Sequence, residues 1–225
     1  MVAAWYHTPR YEQPMIIALS LIVLIISIIA HEVAHGYAAD ALGDPTARYA
    51  GRLTMNPIPH IDLMGSLLIP ALLILTHSPI LFGWAKPVPY NPYNLRNKRL
   101  GEALVAVAGS ATNLALALIF GLIVRFGGDI LPATALTLAG TIAFVNLFLG
   151  LFNLIPFPPL DGFTALRAAL PWQAARGLHQ FEVQMRGAGI VALVLFLLVF
   201  SYVLAGPFFN VVSWLFGLIT GSLVY

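Results

Sequence analysis

Apolar residues run in long blocks along this chain, and short stretches rich in Pro, Gly and charge separate the blocks. A helix of about 20 apolar residues crosses the hydrocarbon core of a bilayer. The blocks predict helices over 14–40, 100–126, 132–156 and 187–205. The apolar segment 207–224 either crosses as well or lies in the interface. Pro14 opens the first block and Gly43-Asp44-Pro45 closes it; Pro132 opens the block 132–156 and Pro156 stops it. Segment 61–82, broken at Pro70, is long enough to span but also suits a re-entrant hairpin covered by protein. The expected fold class is an all-α polytopic membrane protein of about five to six membrane segments, with short β-strand or re-entrant elements near the site of chemistry.

The connecting stretches carry their own signals. Residues 46–54 alternate in polarity and predict a short strand. Residues 82–90 hold Pro87 and Pro89, which forbid helix and predict an extended segment. Residues 162–182 read as an amphipathic helical region. The apolar block after Met15 continues through His31 and Glu32 in helical register, so a retained membrane helix is expected rather than a cleaved signal peptide. Residues 1–225 read as one integral-membrane domain, with a core over about 14–162 and C-terminal helices over about 163–225.

Composition narrows the picture. Hydrophobic residues make up 60% of the chain and charged residues 9%, against about 25% charged in soluble domains. A chain this poor in charge belongs in a bilayer. Cysteine is absent, so disulfides and thiolate metal ligands are excluded. The net charge of +2 is small, and its basic residues gather in certain loops, which suits membrane orientation and not nucleic-acid binding.

Within the first block, residues 31–35 read His-Glu-Val-Ala-His. Two histidines four apart share one helix face and can hold one metal ion. The intervening Glu32 suits the base of a zinc hydrolase. Ionisable groups at membrane depth mark functional sites by default. Such a centre needs a third protein ligand and an open position. Asp161 ends the run Asn153-Leu154-Ile155-Pro156-Phe157-Pro158-Pro159-Leu160-Asp161-Gly162, whose prolines break the helix and can turn the carboxylate inward. Asp161 could equally cap the helix beginning near Gly162. Asp40, Asp44, His60 and Asp62 compete as the third ligand. Asn113, in Gly109-Ser110-Ala111-Thr112-Asn113, and Asn153 are amides at membrane depth. Each can donate to a developing oxyanion or simply join helices, while Gly109 suits close helix packing.

If Asp161 does join His31 and His35, the ends of the blocks 14–40 and 132–156 share one side. Segment 61–82 must then re-enter. Arg48, Arg52, Lys86, Arg96, Lys98, Arg99, Arg167 and Arg176 fall on that side, with Arg10 and Arg125 opposite, and the positive-inside rule makes the crowded side cytoplasmic.

The chain resembles the site-2 protease family of intramembrane zinc metalloproteases, peptidase family M50. The resemblance rests on His31 to His35, on Gly109 to Asn113 and on Asn153 to Gly162, in that order. The last is similar to the family's Asn-x-x-Pro-x-Pro-x-Leu-Asp-Gly signature. It implies one Zn2+ held by His31, His35 and Asp161, with Glu32 as base. It also implies a three-helix core whose active site lies nearer the cytosol, in a short form without a PDZ or CBS domain. The expected activity is hydrolysis of peptide bonds in or near transmembrane segments of membrane-protein substrates, in a multi-pass protein of the cell membrane. An extended edge at 46–54 or 82–90 would hold the unwound substrate by strand addition. The alternatives are a metal-ion or proton transporter built on the same cluster, and a non-catalytic protein that binds membrane partners.

Overall fold

The computed structural model describes residues 13–75 and 84–222. The polar start with Arg10, residues 76–83 (the far end of segment 61–82 and the first two residues of the 82–90 stretch) and residues 223–225 lie outside the described residues.

Helix α1 spans Gln13–Ala41. Its residues 15–35 contain neither Gly nor Pro. A helix satisfies every backbone group internally, which is what a bilayer demands. A four-residue helix α2, Thr46–Tyr49, follows. A π-helical turn, Leu63–Leu68, runs into α3, Ile69–Leu75. Helix α4, Lys98–Phe126, starts where the Asn97 side chain accepts from the Leu100 N–H at 3.1 Å, an N-cap that satisfies one of the orphaned donors. Helix α5 is Ala133–Asn153, α6 Asp161–Ala169 and α7 Trp172–Ala188. Helix α8, Ile190–Val199, passes through the π-helical turn Phe200–Leu204 into α9, Ala205–Thr220. Among the described residues, four helical runs are long and apolar enough to cross a membrane: Ala18–Ala41, Lys98–Phe126, Ala133–Asn153 and Val191–Thr220.

The all-α architecture matches the expectation, with two corrections. Segments 187–205 and 207–224 are not separate crossings but parts of one helical run, Val191–Thr220. Pro207 does not break it: it follows directly on the π-helical turn Phe200–Leu204, in the first residues of α9. The strand expected at 46–54 begins as α2 instead. The Asp44 carboxylate accepts from both the Thr46 N–H and the Thr46 hydroxyl, and this local capping outcompetes the weak alternation. No strand is present among the described residues. The stretch 84–91 is irregular, and its N–H groups go to scattered partners.

Helix α4 is the centre of the bundle, packing on α1, α5, α6 and α9. Its buried face reads Gly101, Val105, Gly109, Asn113, Ala117 and Gly121 at every fourth position. Small side chains let helices approach closely where apolar burial gives no drive within lipid. Helix α5 answers with Ala139, Gly140, Ala143, Asn146 and Gly150.

Hydrogen bonds fix the topology. The Arg96 N–H donates to Leu42 O at 3.0 Å, so α4 begins where α1 ends. The Trp84 N–H donates to Gly65 O at 3.1 Å. Residues 65 and 84 are therefore neighbours, as the re-entrant alternative requires. At the opposite end Arg125 donates to Leu218 O at 3.0 Å, which places the end of α9 there.

Candidate active site

Helix α1 carries His31 and His35 on one face, their rings edge-on with centroids 4.6 Å apart. Helix α5 ends at Asn153, and the Pro-rich loop brings the chain to Asp161 at the start of α6. Gly162 makes the turn possible: a Cβ there would lie 2.1 Å from Leu154 O. Asp161 Oδ2 then sits 2.9 Å from His31 Nε2 and 3.3 Å from His35 Nε2. The two Nε2 atoms are 3.0 Å apart.

Helix α4 lies beneath this cluster and aims both rings. Val105 O faces His35 Nδ1 at 2.6 Å, and Asn113 Oδ1 faces His31 Nδ1 at 2.7 Å. A carbonyl oxygen only accepts, so each Nδ1 carries the hydrogen and each neutral ring presents a bare Nε2 lone pair to the cluster. Between them lies Gly109, where a Cβ would stand 2.6 Å from His35 Nε2 and 2.7 Å from His31 Nε2. This glycine therefore makes room for the imidazoles as well as for a helix.

Two lone pairs and a buried carboxylate oxygen without a hydrogen-bond donor repel one another unless a cation lies among them. A proton on one imidazole would serve. A divalent metal serves equally: the separations of 2.9, 3.0 and 3.3 Å approach the edge of about 3.3 Å of a tetrahedral cage with N and O ligands about 2.0–2.1 Å from zinc. His31, His35 and Asp161 are the one such group of potential ligands among the described residues. The donor set, all nitrogen and oxygen, suits zinc.

Glu32 is not part of that group. Its Oε2 accepts from the Val88 N–H at 2.8 Å. Residues 84–91 thus form a strap across the C-terminal half of α1. The strap is anchored by the Lys86 N–H to His60 O at 2.9 Å and by Arg52 to Lys86 O at 2.7 Å.

The other sequence candidates have different places. Asn113 is fully buried, and its amide nitrogen donates to Asn146 Oδ1 and Ser27 O. Both amide hydrogens therefore have partners on neighbouring helices, the helix-joining alternative of the two. Asn153 donates to Leu149 O one turn back at 3.0 Å and keeps its second amide hydrogen. Of the competing ligands, Asp40 pairs with Arg48. Asp44 clamps the loops through Thr46, Asn91 and Asn94. His60 meets Thr54 O, and Asp62 caps the π-helical turn through the Gly65 N–H. Sequence reasoning missed Asn146 and Ser27. Each had a faint signal: Asn146 is an amide within an apolar helix, and Ser27 precedes His31 by one helical turn.

Comparison with known proteins gives the family. Residues 121–200 match the profile of Peptidase family M50. The chain is 39% identical over 198 residues to the provisionally named zinc metalloprotease YwhC of Bacillus subtilis (strain 168), covering 84% of this chain and 85% of that protein. It is 35% identical over 196 residues to the provisionally named zinc metalloprotease Rip2 of Mycobacterium tuberculosis (strain ATCC 25618 / H37Rv), covering 86% of this chain and 71% of that protein. No solved structure matches. Likeness of this degree along most of both chains, joined to the four apolar helices among the described residues, makes this chain a multi-pass membrane member of peptidase family M50.

Proposed function

We propose that the chain is an intramembrane zinc metalloprotease that hydrolyses peptide bonds in or beside transmembrane segments of membrane-protein substrates. One observation carries the reading: His31 Nε2, His35 Nε2 and Asp161 Oδ2 converge within 3.3 Å of one another, and Glu32 stands on the same helix. Zinc held by these three would supply Lewis-acid activation of water and of the scissile carbonyl. Glu32 takes the proton from the attacking water and delivers it to the departing amine. The Val88 N–H orients Glu32 for that exchange. The second amide hydrogen of Asn153 is the candidate donor to the oxyanion. Family membership does not favour the transporter and binding alternatives.

A membrane helix hides its peptide bonds and must unwind before attack. The strap uses the N–H groups of Trp84, Lys86 and Val88 inward. The carbonyls of Trp84 and Lys86 accept from Ser66 and Arg52, which leaves the carbonyls of Ala85, Pro87 and Pro89 as the candidates for the other side. Pro87 and Pro89 offer no donor on that side, so an unwound substrate would bind by giving its own N–H groups to these carbonyls. Beside the loop that carries Asp161, an apolar groove of about 790 Å³ runs from Leu154 and Phe157 to Phe196, Phe200 and Phe208. Its lining includes none of the four site residues and suits an apolar helix. The crowding of Arg48, Arg52, Lys86, Arg96, Lys98, Arg99 and Arg167 at the site's end of the bundle supports a cytoplasm-facing site in the cell membrane.

The test compares membrane peptides accumulating in cells with wild-type protein and with Glu32→Gln, beside the zinc content of each purified protein. The expected result is uncleaved transmembrane fragments with Glu32→Gln, at unchanged zinc. Equal cleavage by both, or wild-type protein that takes up no zinc, would overturn the reading.

A further inference from the structure

We propose that Asn146 on α5 and Ser27 on α1 are positioning residues for His31, acting through Asn113. The inference rests on the metal-centre reading above. It concerns which nitrogen of His31 carries the hydrogen.

An amide side chain can be turned over, exchanging its oxygen and nitrogen, and nothing in Asn113 itself prevents this. Reversed, it would present an NH2 group to His31 Nδ1. The imidazole hydrogen would then move to Nε2, where it blocks coordination. The surroundings forbid the reversal. Asn113 Nδ2 lies 2.8 Å from Asn146 Oδ1 and 3.3 Å from Ser27 O. Asn146 Nδ2 lies 2.9 Å from Ile142 O and 2.9 Å from Ser27 Oγ. Two of these partners, Ser27 O and Ile142 O, are backbone carbonyls, which accept and never donate. Their direction fixes Asn146 and Asn113 in turn, so Asn113 must offer its oxygen to His31. Ser27, Asn113 and Asn146 are each at most 3% exposed, so water cannot substitute for a missing partner. Three helices thus set one tautomer. His35 needs no such chain, because Val105 O is already a backbone acceptor.

Partners of this kind beyond the ligands typically change metal affinity about 10- to 100-fold when removed. The test uses the full chain in detergent, labelled with 15N-histidine and freed of metal at alkaline pH. Ring nitrogen shifts report each tautomer, and zinc affinity is measured separately by chelator competition. In wild type, both His31 and His35 are expected with hydrogen on Nδ1. Asn146→Leu is expected to mix the tautomers of His31 alone and to weaken zinc about tenfold or more. Ser27→Ala, which removes one hydroxyl, gives a smaller shift in the same direction and remains available if Asn146→Leu fails to fold. His31 unchanged in both variants would overturn the proposal. So would equal disturbance of His31 and His35, which marks a loss of packing. Failure of wild type to bind zinc would strike the function above instead, since the tautomers are read without metal.

Discussion

Replacing Gly109 by alanine puts the metal centre under direct load. The added Cβ would stand 2.6 Å from His35 Nε2 and 2.7 Å from Cε1 and Nε2 of His31, where ordinary contact begins at 3.4 Å. The rings have little freedom to retreat, since each Nδ1 is tied to α4 itself, through Val105 O and Asn113 Oδ1. Relief therefore moves an Nε2 by about 0.8 Å or pushes α4 from α1, while a metal site tolerates about 0.2 Å in ligand distance. Overpacking of this kind costs about 1–3 kcal/mol. At about 1.4 kcal/mol per tenfold, zinc should bind roughly 5- to 150-fold more weakly. The assay is chelator competition on the purified chain, with Gly177→Ala as control, because a Cβ at Gly177 meets nothing within 4 Å. Gly177→Ala should leave zinc affinity unchanged. Wild-type affinity in Gly109→Ala would refute the placement of both imidazoles against α4.

Val88→Pro removes the N–H that Glu32 accepts. A hydrogen bond to a charged group is worth about 1.5–3 kcal/mol, so turnover should fall roughly 10-fold or more with zinc content intact. Val88→Ala, which keeps the N–H, should lose much less in the same cleavage assay. Asp44 tests pH dependence through stability. Burial alone would raise its carboxyl, but hydrogen bonds from Thr46, Asn91 and Asn94 outweigh burial and hold it below the ordinary 3.8. Its stabilisation is complete above 3.8 and fades as pH falls through the lower folded value. Asp44→Ala should therefore melt earlier at pH 7, by about 1–3 kcal/mol for the orphaned donors, and the gap from wild type should narrow in strong acid. Arg167 joins α6 to Glu102 on α4 at 3.0 Å and to Glu182 on α7 at 3.3 Å. Arg167→Met should cost about 1–3 kcal/mol in thermal unfolding, reduced from the fully buried case by solvent access. The added substitution Glu102→Met should restore part of the loss.

The apolar blocks made most of the membrane helices legible, because in lipid a long apolar stretch has little alternative to helix. The blocks did not reveal that 187–205 and 207–224 join, since Gly206-Pro207 looks like a break until the preceding π-helical turn is known. The alternation at 46–54 misled for a similar reason: strand pattern is a surface statement, and one buried carboxylate at Asp44 decided the local backbone. At the site, His31, Glu32 and His35 could be grouped from spacing alone, because helical geometry puts i and i+4 on one face. Asp161 could be nominated but not separated from Asp44 or Asp62 without the family signature, since carboxylates far apart in the chain carry no sign of which one arrives.

Chain order and residue chemistry by themselves determined a membrane-embedded helical protein, a histidine pair with a base between, and a shortlist for the third ligand. Only the tertiary structure decided what holds that machinery still. Val105 O and the Val88 N–H are backbone groups, identical at every residue, so no sequence pattern can mark them as partners of His35 and Glu32. Asn113 and Asn146 are visible as amides, but an amide both donates and accepts. Which it does toward His31 is set by fixed carbonyls on two other helices, and those positions exist only once the bundle has packed.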